Sequence, residues 1–583
     1  MITRKEFIKT YINYFKSKGH KEIPNSNLIP ENDPTALFII AGMQPLIPYF
    51  TGERHPQGKR LVNVQRCIRT IDIEEIGDAY HHTMFEMIGN WSLGDYFKKE
   101  AIEFTFEFLT KHLKIPLDKL AITCFKGDKN IKKNEDVSKI WESLGISKER
   151  IAFLKENWWG PAGTTGPCGP NTEIFYWKPS SKAPKKFDPN DEKNWVEIGN
   201  NVLMSYNKDK LKKLTKLKKK NIDFGGGVER TLAVLNGFND NYLTEIWQPI
   251  IKEIEKLSGK NYKNNKKEMR IIADHIKAAT FMIADGITPG NTDQQYILRR
   301  LIRRAIRNLR KINVPILKID ATPKIAKIVI KIYNDYENLQ NNKEKILSEL
   351  KQEEDKFQKT LDKGLKEFNK MCSDNKIDSK ECFLLFQSYG FPIEMIKELA
   401  KENNVKVDEK GFCQECKRHQ ELSRTASEGK FKSGLADNLE QTTKLHTATH
   451  LLLEALKIIL KDESIEQRGS NINPERLRFD FSFPRKLTNE EKQKVEDLVN
   501  TQIQNSCEIL KEEMSPKKAK TQGACGIFNK KYGDKVSVYS IGNFSKEICT
   551  GPHVKNTCEI GKFKIKKETS SSSGVRRIKA ILE

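Results

Sequence analysis

Apolar residues are distributed in three successive styles along the chain. Up to about residue 240 they form short runs, such as Ala121-Ile-Thr-Cys-Phe, Thr172-Glu-Ile-Phe-Tyr-Trp and Asn201-Val-Leu-Met-Ser-Tyr, interrupted by Gly and Pro. This predicts short strands joined by loops. From about 241 to 430 the spacing becomes helical. Met269 to Ala284 and Tyr296 to Arg307 each place apolar residues three and four apart. Residues 335 to 370 alternate in charge and predict a solvent-exposed helix. From about 431 onward a helix near Thr443 to Leu460 precedes strand-like Leu477-Arg-Phe-Asp-Phe-Ser-Phe and Lys535-Val-Ser-Val-Tyr-Ser-Ile. The fold class predicted is multidomain α+β, with boundaries at 1–240, 241–430 and 431–583. Lysine-rich 181–186 and 208–220 are read as exposed loops between strands.

Charge narrows the choice of partner. Lys and Arg number 102 against 78 Asp and Glu, a net charge of +24. Such an excess favours a polyanion, nucleic acid before membrane. Arg299, Arg300, Arg303, Arg304 and Arg307 gather along one side of a single helix. Guanidinium forks match phosphates and base edges, so this helix is a candidate nucleic-acid face. The N-terminus lacks the apolar core of a signal peptide, and no apolar run is long enough to span a bilayer. Eleven unevenly spaced Cys do not form a disulfide framework, and no solenoid repeat is present. The expectation is a soluble cytoplasmic protein with reduced thiols.

Several groups could carry chemistry. His446 and His450, at i and i+4, share one helical face, the reach of two ligands on one metal. Cys549-Thr-Gly-Pro-His553 supplies a second pair, and the His₂-Cys-His set suits zinc. Thr447 stands where the metalloprotease signature H-E-x-x-H has its Glu, which excludes that class. Cys413, Cys416 and His419 form a weaker set with no obvious fourth ligand. Gly160 to Pro170 is glycine-rich but is no P-loop, because no Gly-Lys-Ser/Thr closes it. In Asp223-Phe-Gly-Gly-Gly-Val-Glu-Arg230, three glycines allow close backbone approach to a ligand. Gln65-Arg-Cys-Ile-Arg69 offers phosphate ligands, and His81-His-Thr-Met-Phe85-Glu86-Met returns toward it.

Taken together with Ala41-Gly-Met, Gly94-Asp-Tyr-Phe, Thr165-Gly-Pro-Cys-Gly-Pro and Ile272-Ala-Asp-His-Ile, these segments resemble the alanyl-tRNA synthetases, class II aminoacyl-tRNA synthetases, over nearly the whole chain. The resemblance implies an antiparallel sheet with flanking helices for ATP and alanine (1–240), a helical region that recognises the tRNA acceptor stem (241–430), and a zinc-containing editing domain (431–583). It implies that Arg69 holds the α-phosphate of ATP and Arg230 the γ-phosphate, that Phe85 stacks on adenine, and that Glu86 helps position the nucleotide. Asp223 would take the ammonium of alanine, with Trp159 and Val202 as pocket walls. Asp293, Arg304 and Glu394 would lie at the acceptor stem, and Gln467 beside the editing site. His446, His450, Cys549 and His553 would bind one Zn²⁺, and Mg²⁺ would accompany ATP. The partners implied are alanine, ATP and tRNA(Ala), with no membrane.

Four departures stand out. Asp293 and Glu394 replace the usual asparagine and aspartate. No β-barrel precedes His446, since Lys430 to Asp437 leads almost directly into its helix. The sequence stops at Glu583, before the family's oligomerising C-terminal region, which predicts a monomer. An editing site is physically sensible beside an alanine pocket. One methyl distinguishes alanine from glycine by only about 1 kcal/mol, and an added hydroxyl is rejected only about 10²-fold. Two other readings compete: a standalone editing deacylase and a zinc-bearing RNA-binding protein without catalysis.

Overall fold

The computed structural model describes residues 1–583 except 32–35, 317–318, 373–375, 429–438, 525–534 and 573. Within regular elements, the side chains of 420–428, 520 and 570–572 are also outside the description. Asn32-Asp-Pro-Thr, a further segment of the resemblance, and Lys430 to Asp437, singled out above, therefore fall outside it. The chain divides into two compact units, Met1–Glu409 and Lys410–Glu583. Position 240 is not a division between them.

The first unit is built on a nine-stranded sheet. Its strands are β1 (Lys21–Glu22), β2 (Arg60–Ile68), β3 (Met84–Ser92), β4 (Leu120–Phe125), β5 (Ile151–Leu154), β6 (Trp158–Trp159), β7 (Gly166–Trp177), β8 (Trp195–Lys208) and β9 (Leu214–Gly227). Their order is β1-β2-β3-β9-β8-β7-β4-β5, with β6 on β7. Only the outer pairs, β1 with β2 and β4 with β5, are parallel. The expected antiparallel sheet is thus its centre. Strand β4 is buried at every position, so both faces of the sheet are covered there.

Register decides which residues share the open face. Asp223 lies opposite Trp91 on β3 and Val202 on β8, and Gly225 lies opposite Gly89 and Asn200. A Cβ at Gly225 would come within 3.0 Å of Met87 Sδ, so glycine keeps that floor open. The lysine-rich 208–220 is no loop: it is the end of β8, a turn, and the first half of β9. Lysine has weak strand preference, and pairing with neighbouring strands overrides it.

Helices cover the sheet. Helix α1 (Arg4–Ser17) opens with a Thr3–Glu6 capping box and buries Phe7, Tyr11 and Phe15. Helix Lys266–Ala284 is buried from Met269 to its end, and Asp293–Lys311 packs against it. The helix expected to be solvent-exposed, Lys343–Met371, is not: Ile346, Leu350, Phe357, Leu361 and Phe368 form a buried stripe. That stripe was hidden because Glu353 and Glu354 lie within it and are themselves buried.

In the second unit, strands Gln467–Asn473, Arg476–Ser482, Phe563–Ser572 and Val575–Leu582 form a four-stranded antiparallel sheet. Helices Glu440–Leu460 and Asn489–Gln504 pack against its strands, and Leu452, Phe479, Phe481 and Val499 share their core. A three-stranded sheet, Ile509–Met514, Val536–Ile541 and Ser545–Ile548, completes the unit.

Candidate active site and metal centre

A cleft opens on the central sheet between β3, β8 and β9. Arg69 follows directly after β2, and its guanidinium carbon sits 5.1 Å from the centre of the Phe85 ring. Arg230, in the first turn of helix Val228–Leu235, enters from the other side, 3.4 Å from Glu197 of β8. Met87 and Gly225 to Gly227 form the floor.

Asp223 is two residues from Gly225, one side-chain repeat or about 7 Å along the same face. Its Oδ1 accepts a hydrogen bond from Trp91 Nε1 at 2.8 Å. Burial pushes its carboxyl up to about 7 in spite of that bond. Val202 is buried in the cluster formed with Trp91 and Met204, against which Trp159 packs. Asp223, Val202 and Trp159 thus form one corner beside the cleft.

Glu86 faces away from the cleft. Side chains alternate along a strand, so Phe85 and Met87 point into the cleft and Glu86 points to the opposite face. There its carboxylate pairs with Arg4 and accepts a hydrogen bond from Tyr336 Oη at 2.6 Å. Burial opposes its ionisation, but Arg4 holds the carboxyl below its ordinary value. Arg4 in turn pairs with Asp335 at 2.9 Å. The Glu86 backbone N–H donates to Glu229, which also pairs with the fully buried Lys277 at 2.7 Å. Lys277 further donates to the Met84 carbonyl. Glu86 thus anchors, from the face opposite the cleft, the strand that carries Phe85.

In the second unit, His446, His450, Cys549 and His553 converge. One ligand atom from each lies within 4.8 Å of all the others. Every imidazole has its Nδ1 engaged outside the cluster: His446 with the Pro552 carbonyl at 3.0 Å, His450 with Glu547 at 3.2 Å, and His553 with Thr447 Oγ1 at 3.3 Å. That leaves Nε2 of each toward the centre, and His553 Nε2 is buried without a hydrogen-bond partner. Burial would raise the Cys549 thiol, yet the three histidines around it, His446 first, bring it down to about 2. A thiolate among three Nε2 atoms, each held by an outer partner, fits a soft-to-borderline divalent metal. Glu547 escaped the sequence reading, while Thr447 entered it only as a residue out of place in a protease motif and Pro552 only as part of the turn between Cys549 and His553.

The sequence matches the family model described as tRNA synthetases class II (A) over residues 6–473, and that of the Threonyl and Alanyl tRNA synthetase second additional domain over 536–579. An alanine–tRNA ligase of Treponema denticola is 51% identical over 606 residues, covering 100% of this chain and 99% of the relative. One of Borrelia hermsii is 48% identical, with 99% of each chain covered. One of Thermotoga maritima is 36% identical, with 100% of this chain and 80% of the relative covered. The chain belongs to the alanine–tRNA ligase family.

In this alanine–tRNA ligase family member, the arginine-rich helix differs from its expected role as an open nucleic-acid face. Arg300, Arg304 and Arg307 are all at least nine-tenths buried. Arg303 bonds Glu353 at 2.6 Å, Arg304 bonds Glu398 and the Ile73 carbonyl, and Arg307 bonds Glu398 and Glu402. Arg300 pairs with Glu74. Glu394 accepts from Tyr296 Oη at 3.0 Å and lies 3.5 Å from Arg300. Asp293 is exposed at the start of the helix, with φ +48°, a backbone region that short polar side chains tolerate. Of the three acceptor-stem residues carried over from the resemblance, Asp293 is exposed, Glu394 half-buried and Arg304 buried. Spacing alone could not show the carboxylates that reach the helix from 50 to 100 residues downstream.

Gln467 begins its strand and donates to Ser470 Oγ at 3.1 Å. Cys413 is exposed, and Cys413, Cys416 and His419 form no ligand cluster among the described residues. Glu173 and Glu197 were also overlooked. Glu173 is pushed up to about 7 by burial and by the charge of Glu197. Glu173 stands in a strand run read only for its apolar residues, and Glu197 lies just ahead of the run that begins at Asn201.

Proposed function

We propose that the chain attaches alanine to tRNA(Ala) and hydrolyses Ser-tRNA and Gly-tRNA formed in error. The observation that carries the first activity is the grouping of Arg69, Phe85 and Arg230 around one cleft, with Asp223 one side-chain repeat away. In activation, the alanine carboxylate attacks the α-phosphorus of ATP, and pyrophosphate leaves. Negative charge grows on the α-phosphate oxygens, where a fixed guanidinium such as Arg69 is worth most. Phe85 stacks on adenine, Arg230 holds the γ-phosphate, and Asp223 holds the ammonium while Val202 and Trp159 limit side-chain size. Glu197, beside Arg230 on the cleft wall, would offer an oxygen ligand to the Mg²⁺ that accompanies ATP. In transfer, the terminal ribose hydroxyl attacks the carbonyl carbon, and AMP leaves. Asp293 meets the acceptor stem, whereas Arg304 and Glu394 hold the helix that presents it.

For editing, His446, His450, Cys549 and His553 would hold one Zn²⁺, which supplies Lewis acidity for ester hydrolysis or a grip on the substrate's hydroxyl and ammonium. Pro552, Glu547 and Thr447 hold the three imidazoles with Nε2 directed to the centre. No helix among the described residues is long and apolar enough to cross a membrane, and all ten described cysteines are free. These support a cytoplasmic setting.

The test is alanine-dependent ATP–pyrophosphate exchange, followed by charging of tRNA transcripts with and without a G·U pair in the acceptor stem. Exchange with alanine and charging confined to the G·U transcript are expected. Absence of alanine-dependent exchange would overturn the reading.

A further inference from the structure

The arginine helix is neutralised from within, so the net charge of +24 must be displayed elsewhere. Its densest outlet is the hairpin that ends β8 and begins β9. Between Lys208 and Lys220 stand eight lysines against one carboxylate, Asp209. None of the eight forms an ion pair among the described residues. Lys210, Lys212, Lys213, Lys216 and Lys218 are exposed. Lys219 rests its stem over Gly94, and Lys220 lies 5.5 Å from the Phe97 ring. Those two brace the hairpin while the outer lysines stay free.

The hairpin is ordered and is rooted beside the alanine corner. Tyr206, Asn207 and Lys208 pair with Cys168, Pro167 and Gly166 of β7, and with Lys216, Thr215 and Leu214 of β9. Trp158, the neighbour of Trp159, packs on Tyr206 with ring centres 5.6 Å apart. Val202 lies on the same strand, and at about 3.3 Å per residue the lysines extend to roughly 30 Å from it. A tRNA whose terminal ribose enters the cleft has its neighbouring phosphates within this span.

We infer that the 208–220 hairpin is a docking arm for the phosphate backbone of the tRNA. The inference rests on the proposed aminoacylation activity. Lysine provides point charges on flexible stems, suited to phosphates in several registers rather than to base edges. The arm would therefore add affinity without choosing the sequence.

The experiment compares the full-length protein with the variant in which Lys210, Lys212, Lys213, Lys216 and Lys218 are each replaced by Gln, and with the variant carrying Arg at all five. Alanine-dependent exchange in the absence of tRNA reports the activation site and the fold, and is expected to be unchanged in both. The Gln variant should show a KM for tRNA raised about tenfold, with its log–log dependence on salt shallower by about 2 to 4. The Arg variant should retain the wild-type value. An unchanged tRNA KM and salt slope in the Gln variant, with exchange intact, overturns the arm. Loss of exchange in the wild-type protein instead overturns the activity on which it rests. Binding to phosphatidylglycerol vesicles that the Gln variant loses, with tRNA KM unchanged, would assign the lysines to a membrane surface and also overturn it.

Discussion

Burial keeps the Asp223 carboxyl up to about 7, with one hydrogen bond from Trp91 to offset it, so the empty corner holds a proton through the mildly acidic range. An ammonium ligand needs the ionised form. The KM for alanine in exchange should therefore rise as pH falls from 8 to 6, and Asp223→Asn should bind alanine poorly with no such dependence. A pH-independent KM in the wild type would separate Asp223 from the ammonium. The same carboxyl lowers stability as pH rises from about 4 through 7, because the folded state holds its proton more tightly than the unfolded chain does. Asp223→Asn should remove that fall, which thermal melts at pH 5 and 8 would show. At the metal cluster, Cys549→Ala should lower bound zinc and slow Ser-tRNA hydrolysis, with exchange intact. Full zinc together with full hydrolysis would refute the ligand assignment. The cluster was legible in the sequence because helical spacing pairs His446 with His450, and a short turn pairs Cys549 with His553. For Glu86 the motif gave the residue but not the parity of the strand that carries it, so the face its side chain takes could not be read.

Elements meet through a buried chain of charges. Lys277 on one helix, Glu229 on another and the backbone of β3 are joined in a space from which water is excluded. Removing one partner leaves an uncompensated charge, at a cost of about 3–5 kcal/mol. Lys277→Met should lower the unfolding midpoint accordingly and raise the KM for ATP, because Phe85 rides on the strand that Lys277 holds. Combining it with Glu229→Met should recover most of the stability, since the apolar pair leaves no stranded charge. A single variant as stable as the wild type in urea melts would show that the pair contributes nothing. Elements of this kind were only partly legible. Apolar spacing located the helices at 269–284 and 296–307, but Glu353, Glu398 and Glu402, which turn the arginine helix inward, are distant in sequence. The lysine hairpin was taken for a loop because, apart from Thr215, its pattern lacks the β-branched and aromatic residues that mark strands.

Among the described residues, the exposed large apolar side chains, such as Ile71, Leu117, Leu243, Leu384 and Leu510, are few and well separated along the chain. Scattered apolar residues need no partner, and a net charge of +24 opposes self-association. Light scattering should give a monomer mass, and a dimer mass independent of concentration would contradict this. The arrangement of Arg4, Glu86 and Asp335 also has a meaning in time. A ribosome adding roughly 5–20 residues per second makes Arg4 about 15 to 70 seconds before Asp335. Through that interval Glu86 lacks Tyr336, Arg4 lacks its second carboxylate, and, for most of it, Lys277 is absent too. The strand that presents Phe85 is pinned only when the growing chain has passed residue 336, so a product stalled or released before that point carries no seated nucleotide site.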